Sequence, residues 1–169
     1  MNIKIWEKIA LSCILLFSLF VYTYKLDTIP SAIYSDEATV GYNAYSILKT
    51  GKDEYGKHFP LAFRFFGAYT PPLYVYLTIP LVKFFGLNPI SLRLLSVLFT
   101  LFGIVTIFSF AKVLFKKEGV ALPVFSVLIF ALSPWAIFNA RLGYEVTAGY
   151  VTYVIGLFLI WSGFSRNKI

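Results

Sequence analysis

Charged residues are scarce in this chain. Only 14% of its 169 residues are Asp, Glu, Lys or Arg, whereas 59% are hydrophobic and 20% are aromatic. A soluble domain averages about 25% charged residues, so a composition this poor in charge excludes an ordinary water-soluble fold. Several apolar stretches approach the roughly 20 residues that cross a bilayer. The sequence therefore predicts an integral membrane protein.

Cysteine and histidine each occur once. Cys13 lies inside the first apolar stretch, so the chain has no disulfide framework and no thiolate metal site. His58 cannot form a zinc site unaided. The P-loop, GxGxxG, GxSxG and HExxH patterns are also absent, which leaves no nucleotide site to drive a pump. We predict no cofactor from the residues themselves.

Basic residues exceed acidic ones, giving a formal charge of +7. They stand at the ends of the apolar stretches and not on one basic face, and no nucleic-acid motif is present. We therefore predict no nucleic-acid partner. Positive charge beside apolar stretches is instead a signal of membrane topology.

The apolar pattern predicts an all-α, polytopic transmembrane helix bundle formed by one domain. We interpret the first apolar run as a retained signal-anchor, because no clear cleavage site follows it. Four spans are expected, at about 5–24, 91–114, 120–138 and 146–164.

A fifth apolar segment, about 71–86, is short, contains Pro80 and ends near Lys83. Proline kinks a helix, and a short tyrosine-rich segment with a lysine suits the membrane interface. We expect it to lie on the membrane, as does a helix at about 36–50, within an external loop that covers 25–90.

Four spans also satisfy the positive-inside rule, whereas five spans would place two basic clusters outside. The predicted location is the cell (plasma) membrane, with both termini cytoplasmic. The cytoplasmic cations would be Lys4, Lys8, Lys112, Lys116, Lys117, Arg166 and Lys168.

Two adjacent carboxylates, Asp36 and Glu37, stand at the predicted start of the first external helix. Ser35 or Asp36 can act as its N-cap, and acidic groups in a first turn are favoured by the helix dipole. Gly51 is a typical C-terminal stop. One apolar face of this helix is predicted by the residues that recur at i, i+4, i+7 and i+8, which are Val40, Ala44, Ile47 and Leu48. The two carboxylates are either a helix start and nothing more or a pair held at the membrane surface for chemistry.

A third carboxylate, Glu145, lies where the fourth span begins. A carboxylate near hydrocarbon usually faces a polar cavity or a partner. The simpler alternative is an ion pair with Arg141, four residues earlier on the same helical face.

The external cations have comparable alternatives. Arg93 can extend to the lipid headgroups or bind phosphate bidentately, and Lys83 could serve the same purpose. His58 is more often a loop hydrogen-bonding group than a catalyst. The candidate phosphate-binding set is Arg64, Lys83, Arg93, Arg141 and His58.

Carboxylates and cations at headgroup depth suit a reaction between a lipid-phosphate-linked donor and an acceptor hydroxyl or amine. A carboxylate would be the general base, and cationic side chains would stabilise the departing phosphate.

A spaced set of motifs resembles the N-terminal part of polytopic glycosyltransferases of the GT-C superfamily. The resemblance is in particular to the bacterial branch related to protein O-mannosyltransferases and to the aminoarabinose transferase of lipid A, and it covers about residues 5–164. The motifs are Tyr34-Ser-Asp-Glu-Ala, Gly41-Tyr-Asn-Ala-Tyr, Pro71-Pro-Leu-Tyr, Gly86-Leu-Asn, Leu92-Arg-Leu, Leu132-Ser-Pro-Trp and Gly143-Tyr-Glu145.

This resemblance implies a transferase that uses a polyprenyl-phosphate sugar as donor and inverts the anomeric centre. The acceptor would be a protein, a lipid or a glycan. Asp36 would take the place of the catalytic carboxylate, Glu37 that of its neighbour, and Glu145 that of the acid in the second external loop. Some members of the family bind a divalent metal.

The chain departs from the family pattern in two respects. Many relatives have an acidic residue and a lysine before the Pro-Pro pair, where this chain has Gly67-Ala-Tyr-Thr70, so we predict no metal site. Family members are also about three times longer, so we expect an N-terminal fragment or a truncated reading frame. The competing interpretations are a non-catalytic membrane protein that keeps the scaffold and, less favoured, a transporter, whose charges should lie at mid-span.

Overall fold

The computed structural model describes residues 4–115 and 121–167, and the described chain is mainly helical. Lys116, Lys117, Glu118 and Lys168, which the topology prediction uses, lie outside the described residues, and the side chain of Arg166 is not described. The elements in chain order are α1 Ile5–Thr23, α2 Ser35–Thr50, β1 Phe63–Phe65, β2 Ala68–Thr70, α3 Pro72–Phe85, α4 Pro89–Leu114, α5 Ala121–Leu132, α6 Pro134–Ala140 and α7 Val146–Asn167.

Three helices are long and apolar enough to cross a membrane: α1, α4 and α7. The 26 residues of α4 give a rod of about 39 Å at 1.5 Å per residue. The prediction of a membrane protein with apolar spanning helices is consistent with this architecture. The membrane-surface position of α2 and α3 stays a prediction.

The segment predicted as one continuous span at 120–138 is broken. It forms α5 and α6, which meet at an angle of 59°. Pro134 has no N–H to continue the helix, and the residue before a proline is disfavoured in helical conformation. Ser133 is extended accordingly, and its hydroxyl accepts a hydrogen bond from the Ala136 N–H at 3.1 Å, which starts α6.

Contacts between the long helices fix their relative directions. Glu7 near the start of α1 pairs with Lys112 near the end of α4 at 2.6 Å, so these helices are antiparallel. Ser96 contacts Thr147 at 2.9 Å, and Phe110 lies against Phe158 with ring centroids 6.2 Å apart. Residue numbers thus rise together along both helices, which makes α4 and α7 parallel.

The end of α5 lies beside the end of α1, because the Tyr22 hydroxyl donates to the Ala131 carbonyl at 2.9 Å. The bent pair α5–α6 therefore runs from the end of the bundle that holds Glu7 and Lys112 to the opposite end. We call that opposite end, formed by residues 24–37, 88–93 and 141–145, the acidic end.

Helix α2 buries the apolar face that its sequence predicts. Val40, Ala44 and Ile47 are buried, and Gly51 ends the helix in left-handed conformation. The predicted N-cap is wrong by one or two residues: α2 begins at Ser35, and Tyr34 occupies the cap position without a side-chain cap. The Glu37 carboxylate instead accepts the Tyr34 N–H at 3.0 Å.

The chain is mostly helical, as predicted, and one short β-hairpin interrupts it. Strands β1 and β2 pair antiparallel in the register Phe63↔Thr70, Arg64↔Tyr69 and Phe65↔Ala68. The two turn residues, Phe66 and Gly67, both have positive φ, the conformation of the two-residue hairpin turn that matches strand twist. The hairpin is held on the bundle by Phe63, which is buried and packs its ring 5.7 Å from that of Tyr76.

Close packing of α4 against α7 at Gly103 generates a stability prediction. A Cβ at this position would lie 3.0 Å from the Val151 Cγ2, so we expect Gly103→Leu to overpack the interface and to cost about 1–3 kcal/mol. Gly156→Leu is the matched control, because nothing lies within 4 Å of its Cβ position. Thermal unfolding of the detergent-solubilised protein should show a lower midpoint for Gly103→Leu alone, and equal midpoints for the two variants would contradict this packing.

Candidate functional site

Arg93 holds the acidic end together. It begins α4's second turn, is 1% exposed, and uses all five of its N–H donors on the protein. Three bonds go to carbonyls of the segment between α1 and α2, those of Leu26, Pro30 and Ala32, at 2.9–3.1 Å. The other two go to the Glu37 carboxylate, at 2.9 and 3.2 Å.

Glu37 is fully buried, and its oxygens receive four hydrogen bonds. Besides the two from Arg93, one comes from the Tyr34 N–H, and one comes from the Gly143 N–H at 2.7 Å. Charge-assisted bonds of this kind are short and strong. They join the start of α2, the start of α4 and the loop between α6 and α7 at one carboxylate.

Gly143 is required for that junction. A Cβ on this residue would lie 2.7 Å from the Leu92 carbonyl oxygen, so a side chain would push the loop away from α4. The loop backbone approaches closely enough to donate to Glu37 only because position 143 is glycine.

Arg141 is the second buried arginine, and it is 8% exposed. It donates to five carbonyl oxygens around the end of α1, at 2.6–3.3 Å: those of Val21, Tyr22, Tyr24, Lys25 and Ile29. Burial, with a smaller contribution from the nearby charge of Arg93, lowers the pKa of Arg141.

The alternative ion pair between Arg141 and Glu145 requires both residues to lie on one face of the same helix, and they do not. Arg141 is the C-cap of α6, and Glu145 precedes the first residue of α7. The ion pairs found in the described part of the chain are those of Arg93 with Glu37 and of Lys112 with Glu7.

The other two predicted acids, Asp36 and Glu145, are partly exposed, and each is next to or two residues from a group of the Glu37–Gly143 hydrogen bond at 2.7 Å. Burial, followed by the charges of Asp36 and Glu145, raises the pKa of Tyr144. The Tyr144 hydroxyl donates to the Asn139 side-chain oxygen at 2.8 Å, which orients the ring. Asp36, Glu37 and Glu145 thus meet at the acidic end, although 108 residues separate Glu37 from Glu145.

A buried hydroxyl network lies beneath this group of acids. The Tyr74 hydroxyl of α3 contacts the Ser96 hydroxyl of α4 at 2.6 Å, and Ser96 contacts Thr147 of α7 at 2.9 Å. These three side chains are at most 1% exposed. The network fastens α3 and α7 to α4 directly behind the acidic end.

The remaining predicted cations are exposed and stand elsewhere. Arg64 lies on β1 with its guanidinium 5.3 Å from the centre of the Tyr55 ring. His58 is exposed, and its backbone pairs with that of Lys52 in an isolated antiparallel β-bridge. Lys83 is exposed in the last turn of α3. No described hydrogen bond or ion pair joins these three to Asp36 or Glu145.

Metal ligands do not cluster in the part of the chain that is described: no group of three or more His, Cys, Asp or Glu side chains is placed to hold an ion. The predicted absence of a metal site stays a prediction.

The sequence prediction missed Tyr144, Gly143 and the hydroxyl network. Ser96, Thr100 and Thr147 stand inside apolar helices, where hydroxyl side chains commonly bond between helices, and this signal could have found the network. Nothing in the sequence pattern marks Gly143 as a donor to Glu37. No protein-family model, curated protein or solved structure matches the chain.

The buried pair generates a second stability prediction. We expect Arg93→Met to destabilise the protein by about 3–5 kcal/mol, because it leaves the Glu37 charge buried without its partner. The double variant Arg93→Met/Glu37→Met should recover part of that loss, since no unpaired charge remains.

Arg64→Met is the matched control, as this arginine is exposed, and it should change stability by less than about 0.5 kcal/mol. The measurement is the midpoint of thermal unfolding in detergent. A wild-type midpoint for Arg93→Met would show that the pair does not hold the acidic end.

Proposed function

We propose that the chain is a glycosyltransferase, or the N-terminal part of one, that transfers a sugar from a polyprenyl-phosphate donor to an acceptor at the outer face of the membrane. Asp36 takes the proton of the acceptor hydroxyl or amine. The acceptor atom then attacks the anomeric carbon of the donor with inversion, and the bond from that carbon to the phosphate oxygen breaks. The lipid phosphate leaves with the electron pair.

One observation carries this proposal: the Gly143 N–H bond to Glu37 brings Asp36 and Glu145, which are both partly exposed, to the same end of the bundle, while Glu37 itself is buried. Half-exposed carboxylates retain free acceptor positions, as a general base requires. The motif resemblance supports the same assignment, because it places Asp36 and Glu145 where the family has its acidic residues.

The predicted site residues therefore divide into two groups. We assign Glu37, Arg93 and Arg141 to positioning, since their polar atoms are occupied by protein partners. Lys83 and His58 are exposed and remain the candidates for the donor phosphate. Rigid support of this kind keeps catalytic groups in productive geometry.

We further propose that the chain crosses the membrane four times, with α5 and α6 forming one bent span. The helix directions support this, because α4 and α7 are parallel and the bent pair runs between them from the end of Glu7 and Lys112 to the acidic end. The positive-inside rule then puts both termini in the cytoplasm and the acidic end outside the plasma membrane.

A second candidate is a non-catalytic membrane protein in which the acidic pair serves only the fold. The complete burial of Glu37, with four hydrogen bonds, favours it for that one residue. The non-catalytic candidate does not explain why Asp36 and Glu145 are partly exposed at the same end of the bundle, so we rank it second.

The catalytic assignment predicts that Asp36→Asn lowers sugar transfer by about 10²–10⁴-fold, the contribution of a positioned general base. The assay is release of undecaprenyl phosphate from a panel of undecaprenyl-phosphate hexoses and pentoses by the protein in proteoliposomes, with a membrane extract that supplies protein, lipid and glycan acceptors. Asp27→Asn is the matched control, because Asp27 is an exposed acid of the same external segment. Transfer at the wild-type rate by Asp36→Asn would exclude Asp36 as the base, and absence of any wild-type turnover across the panel would favour the non-catalytic candidate.

The topology is tested by cysteine labelling in intact cells. On a Cys13→Ser background, Lys57→Cys should react with a membrane-impermeant maleimide, and Lys117→Cys should react only after the cells are permeabilised. Labelling of both positions from outside would place the start of α5 on the outer face and contradict a four-span chain.

A further inference from the structure

A pocket lies beside the β-hairpin, and the proposed chemistry does not use it. It has a volume of about 370 Å³ and is lined by Thr39, Glu54, Tyr55, Arg64, Phe65 and Phe66. That volume is near the lower end of the roughly 300–1,000 Å³ usual for small-molecule sites. We call it the hairpin pocket.

The walls of the hairpin pocket are held by buried anchors. Asn43 of α2, 1% exposed, donates to the Glu54 carboxylate at 3.0 Å and accepts the Glu54 N–H at 3.1 Å. On the other side, Phe63 is buried against Tyr76, whose hydroxyl donates to the Pro60 carbonyl at 2.9 Å. The pocket is therefore preformed, which lowers the entropic cost of binding.

Exposed aromatic rings form a large part of its lining. Phe66 is 86% exposed and Tyr55 is 57% exposed, and the Phe66 ring meets the Phe65 ring edge-on at 4.8 Å. Large aromatic side chains left this open next to polar groups are typical of surfaces that bind a partner. A ligand with an apolar face can pack on these rings.

The charged groups of the pocket offset each other. One carboxylate, Glu54, and one guanidinium, Arg64, line it, and the Arg64 guanidinium already lies over the Tyr55 ring. A phosphate would gain from Arg64 but would be repelled by Glu54. A neutral ligand with many hydroxyl groups can instead donate to Glu54 and accept from Arg64 at once.

One residue that lines the hairpin pocket, Thr39, stands on α2 one helical turn after Asp36. Residues three apart on a helix are neighbours, with Cβ atoms about 5–6 Å apart. A ligand in the pocket is therefore placed to present a hydroxyl group toward the Asp36 carboxylate.

We infer that the hairpin pocket binds a neutral carbohydrate, which packs on the Tyr55 and Phe66 rings and hydrogen-bonds to Glu54 and Arg64. The next step rests on the proposed function. In it this carbohydrate is the acceptor, and the proton that Asp36 removes comes from one of its hydroxyl groups. Arg64 is accordingly a ligand of the acceptor, in contrast to its predicted role as a phosphate-binding residue.

The test measures binding directly. The protein in lipid nanodiscs is titrated with methyl glucopyranoside, methyl galactopyranoside, methyl mannopyranoside, methyl glucuronide and inorganic phosphate, and saturation-transfer NMR reports the bound probe. We expect at least one neutral glycoside to bind at millimolar concentration. Tyr55→Ala and Phe66→Ala should each weaken its binding by about five-fold, the value of one aromatic contact.

Tyr69→Ala is the matched control, because Tyr69 is 71% exposed on the same hairpin but does not line the pocket. It should leave binding unchanged. Binding of the glucuronide or of phosphate alone, absence of binding by all three neutral glycosides, or equal loss in the control variant would overturn the inference.

The variant Asp36→Asn distinguishes a failure of the carbohydrate-binding inference from a failure of the proposed catalytic function. It should bind the glycoside like the wild type while losing sugar transfer. Intact binding together with undiminished transfer would remove Asp36 from catalysis and leave the carbohydrate site standing. If Tyr55→Ala and Phe66→Ala transfer sugar with an unchanged acceptor KM, the hairpin pocket is not the acceptor site. The proposed transferase activity would not be contradicted by that result.

Discussion

The arrangement of the acidic end depends on one buried ion pair, that of Glu37 with Arg93. Each partner is about 1% exposed, and together they bind backbone groups from the start of α2, from the segment after α1 and from the loop before α7. A buried pair is not in itself a large source of stability, because desolvation offsets much of the attraction. Its effect here is geometric, since only one mutual placement of these segments satisfies every donor and acceptor.

This pair divides two neighbouring acids between two tasks. Glu37 is buried, and its carboxylate oxygens are bonded to protein donors. Asp36, one residue earlier, remains partly exposed. Arg141 binds five carbonyl oxygens at the end of α1, and no carboxylate of residues 4–115 or 121–167 forms an ion pair with it. Two buried arginines against one buried carboxylate leave positive charge under Asp36 and Glu145.

Helix α2 links the two candidate sites of the segment between α1 and α4. Its first turn carries Asp36, its second contributes Thr39 to the hairpin pocket, and its third carries Asn43, which anchors Glu54. A single rigid element thus sets the distance from the proposed base to the proposed acceptor. Sites built on helices keep such distances better than sites built on loops alone.

The sequence by itself determined the apolar helices, the buried face of α2 and its stop at Gly51, because hydrophobic periodicity and terminal residues act over a few neighbouring positions. It also selected Arg93 and Glu37 as candidate site residues. Only the tertiary structure decided that they bind each other, that Gly143 donates to Glu37 beside Arg93, and that the third predicted span bends by 59° at Ser133. Those contacts join residues 56 and 106 positions apart, and a pairing over such separations follows from how the helices pack and not from any local pattern.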